Sequence, residues 1–313
     1  MFIEVRDLES GEVTRSLPKT SDGAYWVMMI DPSKEDLVQL GENMDIPYED
    51  LEDALDEDER PRLEIETDIA LYKVVFRVPT DLEQEDRETT TKPVVIILYK
   101  NHIIQIFSEP ITYKKFRPTT KRPTRSQNPL SIFLDFLAIL VKSYELSVDI
   151  LDNKIREAEE EIFQTIRSES ILNVFELSKD AIYLGASLRG NVKVYRQLAR
   201  LKIFREDEGA LEDLDDLSID LEQQNELMGI YRQLIEGSLD AYASVISNNQ
   251  NELLKVLTSI SFVLMIPTLI ASLYGMNVPN FLEQNPLAFV LILIVSAIFI
   301  IPLFAFLKYK DWI

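Results

Sequence analysis

Two uncharged runs near the C-terminus constrain this chain more than any other feature. No charged residue occurs for 27 positions between Lys255 and Glu283, nor for 24 between Glu283 and Lys308. Each run exceeds the roughly 20 residues with which a helix crosses a bilayer core. Between them lies the short polar piece Tyr274-Gly275-Met276-Asn277-Val278-Pro279-Asn280 and a few residues after it. The pattern predicts a two-span transmembrane helical hairpin over 251–313, with everything before it serving the hairpin or being served by it.

Charge is distributed unevenly around this hairpin. The chain carries a net −21. Within 251–313, Lys255, Lys308 and Lys310 cancel Glu252, Glu283 and Asp311, so the whole excess belongs to the preceding residues. So acidic a domain repels nucleic acid and anionic headgroups and attracts cations. No nucleic-acid partner is expected; divalent cations and the lipid bilayer are.

The residue inventory argues against an enzyme. There is no cysteine, which excludes disulfides, thiolate catalysis and thiolate-bound zinc. The one histidine, His102, follows the apolar alternation Ile97-Leu98-Tyr99 and is expected in a strand–turn–strand, as a turn residue. No phosphate loop, nucleophile motif or His/Cys cluster is present, and Gly185 to Gly190 does not fit a phosphate loop. Met1 to Asp7 lacks a basic segment followed by an apolar one, so no signal peptide is expected. The loop between the spans has no Lys or Arg, whereas the tail Lys308-Tyr309-Lys310 is basic. Basic residues favour the cytoplasmic side, so both termini are expected in the cytoplasm and the hairpin in the cell membrane.

Three parts are expected ahead of and including the hairpin. Residues 1–128 read as an acidic cytoplasmic α/β domain with a linker. Five runs rich in β-branched and aromatic residues begin at Phe2, Tyr25, Ala70, Pro93 and His102. Helices are expected after Ser33, a residue type suited to the N-cap, through Leu40, and from Pro47 to Leu55. Asp81 to Thr91 is a charged hairpin or loop, and Pro110 to Pro129 a basic, proline-rich linker. Residues 129–250 read as long helices: one from Leu130 through Ile162, a second from about Ser170 to Phe204 pairing antiparallel with it, and a third from near Ala210. That third helix meets no breaker before Pro267. If it reaches Tyr274 it is a rod of roughly 100 Å at 1.5 Å per residue.

The first span carries an ordered polar stripe. Asn251, Leu254, Thr258, Ser261, Met265, Thr268 and Ser272 are spaced alternately three and four apart, which puts them on one helix face. Hydroxyls and an amide in a bilayer are costly unless they face protein or water. Two readings stay open at this point: helix packing through small polar residues, or one wall of a pore completed by identical chains around an axis. Leu254 and Met265 would then gate it.

Tyr274-Gly275-Met276-Asn277, closing the first of two C-terminal spans, resembles the signature of the CorA family of magnesium channels. The approach Ser247 to Thr258 is similar to that family's as well, and so is the order of acidic α/β domain, long helices and hairpin. The resemblance implies a homopentameric channel whose first span lines the pore, with Gly275, Met276 and Asn277 as the selectivity filter and Asn277 forming a ring at the outer mouth. A ring of neutral amide oxygens suits Mg²⁺, which dehydrates reluctantly. Gly275 would permit the sharp turn that orients Asn277. Thr268 and Met265 fall where the family has pore hydroxyl and gate residues, and Leu254 and Leu257 at its inner constriction. The outer loop has one acidic residue, Glu283, and the tail is less basic than is usual in the family.

The resemblance also implies a sensor. From Glu206 to Glu226 there are ten acidic residues and no basic one. The run is a solvated helix start or, as the resemblance implies, a divalent-binding seam between subunits. Asp216 is the candidate metal ligand, with Asp81 of a neighbouring copy as its partner. Mg²⁺ is then both transported and regulatory, closing the pore when internal Mg²⁺ is high; Co²⁺ and Ni²⁺ are further candidate cargoes. Two alternatives remain from sequence: a proton-coupled Zn²⁺ transporter of the same family, and a membrane-anchored scaffold.

Overall fold

The computed structural model describes residues 2–18, 23–80, 82, 90–108, 128–164, 168–276 and 286–312. Seven strands, β1 (Phe2–Asp7), β2 (Val13–Thr14), β3 (Tyr25–Ile30), β4 (Arg62–Glu66), β5 (Leu71–Pro79), β6 (Thr91–Tyr99) and β7 (His102–Phe107), form one sheet in the order β2-β1-β3-β7-β6-β5-β4. Neighbours run antiparallel except β3 and β7, which are parallel. The five apolar runs became β1, β3, β5, β6 and β7. The two strands that sequence did not announce are the sheet edges. β2 has two residues, and β4 alternates charge with aliphatic in Arg62-Leu63-Glu64-Ile65-Glu66, as edge strands do to resist further pairing.

His102 departs from the turn position expected of it. The turn is Lys100-Asn101, with Lys100 at φ 51, and His102 opens β7 fully buried. Its Nδ1 accepts the Tyr25 N–H at 3.2 Å, and the two rings stack. Its role is to fasten the ends of the parallel pair.

Both faces of the sheet are covered, so β6 and β7 are buried along their whole length. One face packs Val27, Met29, Val75 and Ile104 against Leu37 and Leu40 of helix α1 (Lys34–Met44). Ser33 caps α1 as expected: its side chain accepts the Asp36 N–H while Asp36 accepts the Ser33 N–H. The expected helix after Pro47 is two single turns of 3₁₀ helix, Tyr48–Asp50 and Glu52–Leu55. The opposite face packs against helices α2 (Pro129–Gln164) and α3 (Ser168–Leu198). Phe76 of β5 lies 6.3 Å from Phe133, 6.0 Å from Phe136 and 5.8 Å from Tyr195, ring centre to ring centre. The pairs Leu137–Tyr195 and Tyr144–Asn191 make α2 and α3 antiparallel, as expected. The second helix ends at Leu198 rather than Phe204; a separate turn, α4 (Lys202–Arg205), follows it.

Where β4 stops, a side chain continues its ladder. β4 pairs with β5 only as far as Val75, leaving Arg77 with β6 on one side and no strand on the other. Asn191 of α3 supplies both partners: its Oδ1 accepts the Arg77 N–H at 3.1 Å, and its Nδ2 donates to the Arg77 carbonyl at 2.7 Å. The Tyr144 hydroxyl donates to the same carbonyl at 2.8 Å. Burial pushes the Tyr144 phenol well above its usual pKa, so it stays a donor. The helix lies so close here that a Cβ on Gly190 would sit 2.7 Å from Pro61.

An ion network holds the 3₁₀ turns to the sheet edge. Lys73 of β5, its side chain 5% exposed, meets Asp53 at 2.7 Å and Glu64 at 2.5 Å. Arg62 bonds Asp53 and Glu64, each at 2.6 Å, and also Glu59. Burial raises the Glu64 pKa, but hydrogen bonds from Lys73 and Arg62 outweigh it and hold the carboxyl below its usual value of 4.5.

The chain divides into two units, Met1–Gly237 and Ser238–Ile313. Helix α5 (Glu208–Tyr274, 67 residues) contributes to both, and α6 (Ala288–Tyr309) to the second. Asp207 caps α5, its Oδ1 accepting the Ala210 N–H at 3.0 Å. In the first unit α5 buries Leu214, Leu221, Met228 and Ile235, a seven-residue repeat typical of a coiled-coil seam. The charged stretch expected around 81–91 and the basic linker lie largely outside the described residues.

Two outcomes follow from these contacts. Asn191→Leu strands the buried Arg77 backbone groups and should cost about 3 kcal/mol, the scale of one or two unsatisfied polar groups. Thermal unfolding of the detergent-solubilised chain checks it; an unchanged midpoint contradicts it. A carboxyl held below its usual value adds stability above that value and loses it as acid drives the pH through the depressed one. Glu64→Gln should therefore flatten the loss of stability below pH 4.5. Superimposable acid limbs for the variant and the parent would rule out this contribution.

Candidate functional site

The C-terminal unit contains two helices that are apolar yet uncovered. The most apolar window of α5 has a mean hydropathy of 2.1 and is 6% buried; that of α6 has 3.1 and is 11% buried. A core helix of a soluble domain hides such a surface. Left exposed on this scale, it calls for lipid or for further protein.

Within the apolar part of α5, residues 256–274, burial is confined to one narrow stripe. Ser259 is fully buried, and Val263, Ile266, Ile270 and Tyr274 are partly covered. Their spacing of three to four residues is one helix face. On α6 the covered residues are Ala288, Ile292, Ser296, Ile300, Leu303 and Leu307, again one face. A hairpin of two helices packed through a single seam leaves this pattern. Serines at the seam let helices approach closely. The Ser296 hydroxyl donates to the Ile292 carbonyl of its own helix at 2.8 Å, whereas the Ser259 Oγ has no hydrogen-bond partner among the described residues.

The polar stripe occupies the other side of the helix. Asn251, Leu254, Leu257, Thr258, Ser261, Met265, Thr268 and Ser272 are all exposed. With 3.6 residues per turn, Ser261, Thr268 and Ser272 lie about half a turn from Ser259 and Ile270. Packing of α6 therefore does not use the hydroxyls. Ser261 donates to the Leu257 carbonyl at 2.8 Å and Thr268 to the Leu264 carbonyl at 2.7 Å. Each hydroxyl is satisfied within its own helix, and its oxygen lone pairs remain on the open face. Leu264, Met265, Thr268, Leu269 and Ser272 line a shallow groove there. Leu254, Leu257 and Met265 interrupt the polar surface, each more than half exposed.

At the end of α5, the Gly275 N–H donates to the Ala271 carbonyl at 2.9 Å and closes the last turn. Gly275 is not in the left-handed region, where the glycines are Gly11 and Gly23. A Cβ there would meet only the carbonyl oxygens of its own preceding turn, Ala271 at 3.3 Å and Ser272 at 3.7 Å. Met276 is exposed, and Asn277 lies outside the described residues.

The sensor candidates are not brought together. Asp216 is exposed on α5 in the first unit, and Asp81 lies outside the described residues. Among the described residues no three His, Cys, Asp or Glu side chains are grouped to hold a metal. One member of the acidic run ties two helices together, since Glu222 meets Arg196 of α3 at 2.8 Å. Sequence reasoning found the open stripe and missed the covered one. Ser259 and Ser296 were its available signal, since each is a hydroxyl on the aliphatic side of its span.

Ser259→Ala removes an unpartnered buried hydroxyl and should leave the thermal midpoint unchanged or raise it. Ser259→Leu overfills the seam and should lower the midpoint by several degrees, about 1–3 kcal/mol. The reverse order would contradict the assignment of this face to the seam.

Nearly the whole chain is similar to known proteins. The family profile described as CorA-like Mg2+ transporter protein matches residues 21–309. The cobalt/magnesium transport protein CorA of Methanocaldococcus jannaschii is 26% identical over 294 residues, covering 92% of this chain and 91% of the relative. The cobalt/magnesium transport protein CorA of Thermotoga maritima is 26% identical over 324 residues, covering 99% and 90%. The complete structure of the CorA magnesium transporter from Methanocaldococcus jannaschii is similar in fold, with a TM-score of 0.80 at 24% identity over 100% of this chain and 99% of that one.

Proposed function

This chain belongs to the CorA-like Mg2+ transporter family, and from that premise we propose that it is a divalent-cation channel built from identical subunits, passing hydrated Mg²⁺ inward along the polar stripe of α5. The carrying observation is the position of that stripe, on the face of α5 that the hairpin leaves open. A single chain supplies one wall. A ring of copies with this face on the axis, a pentamer in our reading, would enclose a path lined by Asn251, Ser261, Thr268 and Ser272. Leu254, Leu257 and Met265 would form its apolar constrictions.

The chemistry suits a hydrated ion. Side-chain hydroxyls and amides hydrogen-bond the water shell without stripping it, and Mg²⁺ gives up its waters reluctantly. Carboxylates in the same places would hold the ion too tightly for release. Gly275, Met276 and Asn277 are the proposed filter, with Asn277 at the outer mouth. The cytoplasmic acidic run would sense internal Mg²⁺ through Asp216 and an Asp81 from the neighbouring copy, bridging subunits and closing the pore. Both termini would lie in the cytoplasm and the hairpin in the plasma membrane. Co²⁺ and Ni²⁺ are further candidate cargoes.

Purified protein in liposomes loaded with a Mg²⁺-sensitive dye tests the proposal. Wild-type protein should admit Mg²⁺ down its gradient without a proton gradient, and Asn277→Leu should cut the rate at least ~10-fold, the scale of losing one hydrogen-bonding ring. Absence of flux in every divalent gradient would overturn the channel, and Zn²⁺ flux that needs a proton gradient would replace it with a coupled transporter. Asp216→Lys should weaken inhibition by internal Mg²⁺; unchanged inhibition would remove that residue from the sensor.

A further inference from the structure

Consecutive segments of the first unit carry opposite charge in blocks. From Ala181 to Arg205 there are six basic residues and no acidic one, and the acidic run Glu206–Glu226 follows at once. Within the chain these blocks meet at few points: Arg196 with Glu222 at 2.8 Å, and Lys202 with Glu206 at 3.3 Å. Arg189 and Lys193 on α3 are exposed, as are Asp216 and Asp220 on α5, and among the described residues none of the four has an ion-pair partner. Asp216 and Asp220 are a turn apart and point away from the side of α5 that reaches Arg196 through Glu222.

Each charged patch continues into an apolar one along the same helix face. On α3, Phe175 and Ile182 are 55% and 48% exposed, about four and two turns N-terminal to Arg189. On α5, Leu227 and Leu234 are 37% and 53% exposed, C-terminal to Asp220 and about a quarter turn round the helix from the buried Leu214–Ile235 seam. So α3 reads apolar then basic, and α5 reads acidic then apolar. The spacings match. Phe175 to Lys193 is the same number of residues as Asp216 to Leu234, about 27 Å of helix at 1.5 Å per residue. An antiparallel alignment that sets Lys193 against Asp216 also sets Arg189 against Asp220, Ile182 against Leu227 and Phe175 against Leu234. The basic end of the α3 face, Arg189 and Lys193, borders an open cleft of about 1380 Å³ that α2 and the residues around Arg60 and Thr91 also line.

We propose that these two faces are the complementary halves of a contact between copies of this chain: the exposed face of α3 in one copy receives the acidic-then-apolar face of α5 in the next. The occupant is a second copy, because the matching face belongs to this sequence and is turned away from its own α3. Two different patches that complement each other make a head-to-tail contact, the kind that closes rings. The inference rests on the multi-subunit reading above and gives it an attachment that needs no metal. Direct ion pairs at Arg189–Asp220 and Lys193–Asp216 would hold neighbours in register when internal divalent cations are low, with strength falling as salt is added.

The absence of native cysteine makes the test direct. The pairs Arg189→Cys with Asp220→Cys, and Phe175→Cys with Leu234→Cys, are introduced separately into the full chain, oxidised in detergent without Mg²⁺, and resolved on denaturing gels. Mass measurement of the unoxidised assembly runs alongside. Both pairs should give a ladder of covalent multimers up to the full ring, while each single-cysteine chain gives at most a trace of dimer. A multi-subunit mass with no ladder from either pair overturns this contact and leaves the channel reading standing. A ladder from one pair alone overturns the register. A single-chain mass overturns both readings together.

Discussion

A hydroxyl inside a bilayer must find a partner, and where it finds one decides what the helix is for. In the first span of this protein, Ser261 and Thr268 are satisfied by carbonyls of their own helix, so neither needs α6. The seam with α6 runs along the other side, through Ser259 and the aliphatic residues in line with it. Lipid gains nothing from a line of hydroxyl oxygens. The open face is thus a polar surface that the hairpin does not consume and the membrane does not favour. On the channel reading proposed above, copies of the chain would turn this face toward one another and toward water.

The first unit is a body organised around its seven-stranded sheet. Its sheet is covered on both faces and tied at its edges by side chains where strands give out: Asn191 takes the place of a missing strand beside Arg77, and Lys73 with Arg62 anchors the 3₁₀ turns to the β4 edge. α5 then begins at a capped start and buries one residue in seven against this body, through Leu214, Leu221, Met228 and Ile235. A narrow seam leaves most of the helix circumference free. The free part carries the acidic residues first and exposed aliphatics after, the order that a neighbouring copy would have to match.

Much of this was legible in the sequence because the relevant patterns are local and periodic. Uncharged runs announced the spans, three–four spacing announced the open stripe, and Ser33 announced the start of α1. β2 and β4 were missed for a physical reason: edge strands are short or charged by design, so they lack the apolar alternation by which strands are recognised. His102 was misread because a buried histidine is justified by a distant partner, the Tyr25 N–H, that no local window contains. The covered face of α5 was hidden by the same limit, since in an all-apolar span only tertiary contact distinguishes one aliphatic side from another. The role of Asn191 likewise depends on a strand 114 residues away.

The central claim is that the hydroxyl face of α5 borders water in the assembled protein while the seam face does not. Single cysteines placed one at a time from Thr258 to Ser272 in this cysteine-free chain, then exposed in membranes to a charged, water-soluble thiol reagent, measure it directly. The account predicts fast modification at Ser261, Met265, Thr268 and Ser272, slow modification at Ser259, Val263, Ile266 and Ile270, and slowing of the first set by Mg²⁺. Uniform protection around the helix, or labelling that follows the seam residues, would contradict it.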